Sequence, residues 1–341
     1  MKQKSFMRVL GTMLSAVCAL CGYGAAPACA EVSELKIAQQ YGLNYLQLMV
    51  MEDQKLVEKY ARLEGLSDLK VQWPKISNGG MMNDALLSGD LHFVSGGIGP
   101  IITLWAKTRD NIGVRAVCSM NSMPVVLTTR NPNVKTVRDF TDKDRIALPA
   151  IKVSIQAVTL QMAAAQVFGD ANFAQLDPLT ISMSHPDGAV AMLSGGGEID
   201  SHFTGPPFNY QELRDPRVHK VTSSYEILGG RTTSTLVWTT AKFRTDNPHV
   251  YRAFFSAMEE ATRYIAANHR AAAELYIRVA KTKDSLADIL EILDDQDIVY
   301  TMQPENVTRY ADFMYRVGSI KTKPASWKDM FFPEIYGTSG S

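Results

Sequence analysis

The sequence predicts an α/β protein of two similar lobes, and three observations carry that expectation. First, Ser77 to Pro100 reads as a short helix, a strand and a glycine loop, and Asp187 to Pro207 repeats the same grammar further along. Second, the wording matches: Ala85-Leu-Leu-Ser-Gly89 answers to Ala191-Met-Leu-Ser-Gly195, and His92-Phe93 to His202-Phe203. A supersecondary unit that recurs at wide spacing points to equivalent lobes. Third, two β-prone runs, Met123 to Thr129 and Thr233 to Thr239, stand where the chain leaves the first lobe and returns to it. Two crossings make a two-strand hinge, which lets lobes close on one another.

The 341 residues suffice for two domains with cores of their own. Lys+Arg and Asp+Glu both number 35, so the formal charge is zero and no basic stripe marks nucleic acid or an anionic membrane surface as a partner. Residues 1–30 form a separate text. Lys2, Lys4 and Arg8 precede an uncharged run ending in Ala28-Cys-Ala30, the pattern of a secretory signal peptide cut before Glu31. Gly22, Gly24 and Pro27 favour cleavage over a retained anchor. With the leader removed only Cys118 remains, so no internal disulfide is expected, as suits a periplasmic protein large enough to do without one. After Glu31 no apolar run is long enough to span a bilayer.

Glu34 to Ala38 alternates like a strand, and Gln39-Gln-Tyr-Gly42 breaks it. From Leu46 to Tyr60 the apolar positions keep a helical period, with Gly65 as the stop. Leu69 to Trp73 is the next strand, and the first repeat unit adds a helix and a strand, so a mostly parallel sheet with right-handed crossovers is expected. Ile98 to Thr108 is a helix and Val114 to Val117 a strand. In the second lobe, Thr136 and Asp139 form a capping box, Arg145 to Pro149 is a strand, and Ser154 to Phe168 is a helix stopped by Gly169. Asn247-Pro248 should cap a long helix whose Val250, Phe254, Met258, Ala261 and Ile265 share one face. The crossings divide the mature chain into lobe 1, residues 31–123 with 233–341, and lobe 2, residues 124–232.

Enzyme signatures are missing. The chain has no His-Glu-x-x-His, Walker loop, Gly-x-Gly-x-x-Gly or Gly-x-Ser-x-Gly, and its six histidines lack metal-ligand spacing. Gly195-Gly-Gly197 precedes a strand and reads as a turn. No catalytic set, cofactor or metal is expected. Four loops at strand ends carry the positive signal: Gln40-Tyr41-Gly42, Ser95-Gly96-Gly97, Lys152-Val153-Ser154 and Thr204-Gly205-Pro206. Each offers hydroxyls, amides or backbone N–H groups, and in a doubly wound arrangement they converge on one cleft. The loop ending at Ser154 opens a helix whose N-terminus suits an anion, with Lys152 as a possible counter-charge or a solvated lysine. Tyr41 and Phe208 could wall the cleft. His202 is an acid/base candidate if the chain is an enzyme, but its counterpart His92 argues for a structural role.

The leader, Ala85-Leu-Leu-Ser-Gly-Asp90, His202-Phe-Thr-Gly-Pro-Pro-Phe208, Asp139-Phe140, Asp144-Arg-Ile-Ala-Leu-Pro149, Lys242-Phe-Arg244 and Asn247 to Phe255, taken in order, resemble the nitrate/sulfonate/taurine group of periplasmic ABC-transporter solute-binding proteins. The resemblance implies a type II periplasmic-binding-protein fold that captures a small organic anion between its lobes. It implies delivery to an ABC permease and its ATPase at the inner membrane by a monomeric receptor, with sensing or chemistry on the same fold as alternatives. It places solute contacts at Gln40 and Tyr41, Ser95 and Gly96, and Val153 and Ser154. Where sulfonate binders of the group carry a Gly-Ser pair at that last helix start, this chain has Lys152-Val153-Ser154.

Overall fold

The structure is a computed structural model that describes residues 31–77 and 79–341, so the expected signal segment 1–30 lies outside the described residues. The first lobe opens with β1 (Glu34–Lys36), α1 (Leu46–Asp53), α2 (Leu56–Leu63), β2 (Lys70–Gln72), α3 (Gly79–Ser88), β3 (Val94–Gly97), α4 (Ile98–Thr108) and β4 (Arg115–Ser122). The second holds β5 (Val126–Thr129), β6 (Ile146–Leu148), α5 (Ile155–Phe168), β7 (Thr180–Ser182), α6 (His185–Ser194), β8 (Ser201–Thr204), α7 (Phe208–Leu213), β9 (His219–Ser223) and α8 (Ser224–Leu228). The chain then returns through β10 (Thr233–Thr239) to α9 (Ala241–Asp246), α10 (Pro248–Ala267), α11 (His269–Ala280), α12 (Leu286–Leu293), β11 (Val299–Tyr300) and α13 (Val307–Arg316).

The two sheets repeat one plan. In the second the order is β7-β6-β8-β5-β9. In the first, β1 pairs with β2, and a bridge from Ile37 to Phe93 links that pair to β3-β10-β4-β11. Strands β1, β2 and β3 thus correspond to β6, β7 and β8, and the helix–strand repeat read in the sequence is α3–β3 against α6–β8. The sheets are less parallel than expected. β10 runs antiparallel to β3 and β4, and β5 antiparallel to β8 and β9. The reason is geometric: a strand arriving from the other lobe enters at the edge where its parallel neighbours end, so it must run against them.

Two further local expectations change. The helix expected from Leu46 to Gly65 is broken at Lys55, which takes a left-handed backbone (φ 52°) and divides α1 from α2. The break lets α1 bury Leu46 to Met51 on all sides, while the strongly two-faced α2 lies along α10. Asn247 precedes α10 without capping it: its Oδ1 accepts from Val32 N–H (2.9 Å) and its Nδ2 donates to Phe243 O (3.0 Å). The face of α10 is as read, with Val250, Phe254, Met258, Ala261 and Ile265 fully buried. Phe254 stacks on Phe93 with ring centroids 3.9 Å apart, tying α10 to the end of the first repeat unit.

Phe254→Ala should cost about 3–5 kcal/mol in urea unfolding, the cavity range for a fully buried ring. A loss below about 1 kcal/mol would show that this face is not the core of the first lobe.

Candidate functional site

The parallel strands of both sheets end at one cleft, and the helices that follow them begin there. A pocket of about 30 Å³, room for about two waters, lies between the lobes. From the first lobe it is lined by Gln40, Tyr41, Asn44, Gly79, Gly97 and the pair Ser234–Thr235; from the second, by Pro149, Ser154, Ile155, Gln156 and His185. Gly79, Gly97, Ser154 and His185 stand at the starts of α3, α4, α5 and α6. The first turns of α3, α4 and α5 contain no acidic residue, whereas α6 has Asp187, whose N–H bonds the capping Ser184. Three helix N-termini therefore point positive partial charge at the pocket without a carboxylate of their own. No Lys, Arg, Asp or Glu is among the described lining residues.

Tyr41 also borders a second chamber of about 300 Å³. Its walls are apolar and aromatic, with Met49, Pro186, Ala189, Pro207, Phe208 and Tyr276, and Lys75 stands at its rim. Phe208 stacks on His185 at 5.8 Å between centroids, so that pair forms a wall between the two spaces.

The lobes touch through backbone. Leu43 N–H donates to Pro206 O (3.0 Å), and Gly97 and Gly99 lie against the start of α5. A Cβ on Gly99 would come within 2.4 Å of Val153 O, and one on Gly97 within 2.6 Å of Ile155. This is a closed cleft, and glycine is what permits the approach.

Of the residues singled out in the sequence, Gln40, Tyr41, Gly97 and Ser154 come together at the pocket, and Gly42 lines the chamber. Gln40 is held by its Nε2 donating to Ser95 O (3.2 Å). Ser154 caps α5, accepting from Ala157 N–H (3.2 Å). The others lie behind this layer. Ser95 is buried and donates to Ala38 O (2.7 Å), and Gly96 packs under Trp238. Val153 faces Gly99, Gly205 faces Asn44, and Pro206 supplies the carbonyl for Leu43. Thr204 hydrogen-bonds His185 (2.8 Å). Lys152 is exposed, in a left-handed backbone (φ 67°), and lines neither space. Arg231 reaches Gln296 O (2.9 Å). His92 accepts from Lys36 N–H and stacks on Phe243, a structural seat.

His202 is fully buried and does not line the pocket. Its Nδ1 donates to Glu212 Oε1 (2.5 Å), whose Oε2 accepts from Thr128 (2.6 Å). Its Nε2 faces His185 Nδ1 at 3.4 Å, and His185 Nε2 lies 3.3 Å from Gln156 Nε2. Burial, and then the neighbouring His202, hold His185 well below the usual histidine range.

Matched against known proteins, residues 28–279 fit the model of the NMT1-like family. The chain belongs to the NMT1-like family. No curated protein matches the sequence of this NMT1-like chain. Its fold is similar to that of the alkanesulfonate-binding protein SsuA from Xanthomonas axonopodis bound to MOPS, with TM-score 0.68, 16% identity, and 88% of this chain and 98% of that one covered. It is similar to the periplasmic nitrate-binding protein NrtA from Synechocystis, with TM-score 0.65, 14% identity and coverage of 88% and 84%. A Candida albicans gene product described as having the generic periplasmic binding protein fold gives TM-score 0.65, 15% identity and coverage of 88% and 96%. The type II periplasmic-binding-protein fold of two α/β lobes implied by the resemblance is therefore the fold of this NMT1-like protein.

The pocket also holds residues that sequence reasoning passed over: Asn44, Gln156, His185, Ser234 and Thr235. Asn44 Nδ2 donates to Ser234 Oγ (3.1 Å), fixing one polar wall. The density of Ser and Thr at the start of β10 is the signal that could have marked that wall. His185, one residue past a capping Ser184, had no such mark.

Two outcomes follow. Gly99→Ala should hold the lobes apart while leaving each core intact, raising the radius of gyration in small-angle scattering without changing far-UV circular dichroism; an unchanged radius would remove Gly99 from the closing contact. His185 is held neutral in the folded protein but takes a proton more readily when unfolded, so its contribution is full above its unfolded value and is lost as pH falls. Wild type should therefore lose up to about 1.4 kcal/mol per pH unit below about pH 6.5, relative to His185→Gln. Equal acid sensitivity of the two in urea unfolding would contradict this. His92 shifts in the same direction through burial and is common to both proteins.

Proposed function

We propose that this protein is an extracytoplasmic solute receptor that closes its lobes on a small organic anion and delivers it to an ABC importer. The observation that carries the reading is the convergence of the α3, α4 and α5 N-termini on a pocket lined by neutral donors. Such ends favour an anion without a cationic side chain. The similarity in fold to proteins described as sulfonate- and nitrate-binding supports the same class.

On this reading the protein works in the periplasm after loss of residues 1–30, as a monomer that presents its closed form to a permease and ATPase. It performs no reaction of its own. His202, the residue best suited to acid/base work, is sealed behind His185. The proposed lobes are residues 31–123 with 233–341, and 124–232, a division supported by β4 and β10 lying in one sheet and β5 in the other. Gln40, Tyr41, Gly97 and Ser154 are the proposed solute contacts, from three of the four strand-end loops, with Gln156 and His185 added. The compact pocket suits the charged head of the solute, and any bulkier remainder would extend past Tyr41 toward the chamber.

The test is a thermal-shift panel of nitrate, methanesulfonate, taurine and acetate on the mature protein, with dimethyl sulfone as the uncharged control. A bound anion at a hundredfold excess over its dissociation constant should stabilise by about 2.7 kcal/mol, and the sulfone should not. If no anion shifts the transition and native mass spectrometry finds nothing retained, the anion reading fails.

A further inference from the structure

The chain from Glu212 through His202 to His185 is not explained by anion capture alone. Every member has a defined seat. Glu212 and His202 are fully buried, and Glu212 has no lysine or arginine partner among the described residues. His202 lies flat against α6 at Gly188, where a Cβ would stand 2.6 Å from its Nε2. The hydrogen bonds admit a consistent assignment with both rings neutral. Thr128 and His202 Nδ1–H donate to Glu212; His185 Nδ1–H donates to Thr204 and toward His202 Nε2; Gln156 Nε2 donates to His185 Nε2. The ring that lines the pocket then presents an acceptor nitrogen, already bonded by the Gln156 amide, and no N–H for an anion. One added proton reverses this.

We propose that the cleft takes up its anion together with one proton, carried by the Glu212–His202–His185 chain, with His185 as the residue that changes from acceptor to donor. This rests on the anion reading above. The proton comes from solvent and forms the N–H bond at His185 Nε2, which then donates to the anion. The Nδ1 proton can pass to His202 Nε2, placing the positive charge beside Glu212. Before binding the chain carries the charge of one buried carboxylate, and after it none, so anion and proton enter the cleft as a neutral pair. Burial, which holds the empty ring neutral, supports this direction.

The other groups around His185 leave this role to the chain. From β8 it meets His202, and from α7 Glu212 lies behind that ring. On its own helix Asp187 is bonded by Ser184, and Arg130 and Arg217 hold the far end through Met192 O and Leu193 O. Across the pocket stand Tyr41 and Tyr45, and Lys75 lies on the chamber side.

The experiment titrates the mature protein with methanesulfonate and with nitrate, both permanently ionised, so that any pH dependence belongs to the protein. Affinity should rise by up to about tenfold per unit as pH falls between about 8 and 5.5. Calorimetry in two buffers of different ionisation heat should show uptake of about one proton. In His185→Gln, which keeps a polar side chain but cannot take the charge, binding should weaken, and whatever binding remains should be independent of pH and take up no proton. Binding that is independent of pH, weakens on acidification or takes up no proton overturns this inference and leaves the anion reading standing. Failure of wild type to bind either anion at any of these pH values overturns both. Long-range proton–nitrogen NMR of the wild-type protein decides without a variant: Nε2 of His185 should lack a proton in the empty cleft and carry one when methanesulfonate is bound, and a proton there in the empty cleft overturns the inference.

Discussion

The structure depends on two strands that run the wrong way. β5 and β10 each carry the chain across from the other lobe and enter a sheet against its parallel strands. Because they enter at the edge where those strands end, the crossings and the strand ends share one place. The cleft, the hinge and the helix starts are therefore a single feature of the topology. Hinges of this kind concentrate motion in a few connecting residues while the packed lobes move as bodies.

That geometry sets the electrostatics of the site. A parallel strand that ends at the cleft is followed by a helix that begins there, so every such unit turns backbone N–H groups toward the same space. The pocket gains positive potential from α3, α4 and α5 while its described lining carries no charged side chain. A fixed dipole of this sort involves no flexible side chain and is not desolvated as an ammonium would be. It also explains why Lys152, beside the start of α5, is free to stand in solvent.

The second lobe adds something the first does not. The repeat places a histidine before each Phe, but the two copies have different neighbours. His92 meets a backbone N–H and the Phe243 ring. His202 meets a buried glutamate on one side and a second histidine on the other. One repeated position thus serves packing in one lobe and polar connectivity in the other, because α7 brings Glu212 against His202.

The sequence by itself determined the two-lobed plan. Glycine stops, the helical period from Val250 to Ile265, the Ser154 cap and the matched Ala-x-Leu-Ser-Gly units are local signals, and local signals survive being read one residue at a time. It also marked the loops that approach the cleft, since a turn after a strand is legible from Gly, Ser and Thr. What it could not show is which members of each loop face the pocket. Ser95 turns its hydroxyl to Ala38 O and Gly96 packs under Trp238, whereas Gly97 faces the start of α5. The break at Lys55 followed from the packing of α1 beneath α10 and α11, which no glycine announced. Asn44, Gln156, His185 and the pair Ser234–Thr235 come from four separate stretches of the chain, and only the closing of two sheets on one another brings all of them to one pocket. The polar chain behind His185 was decided the same way, by a long-range contact between α6, α7 and β8 that leaves no periodic trace.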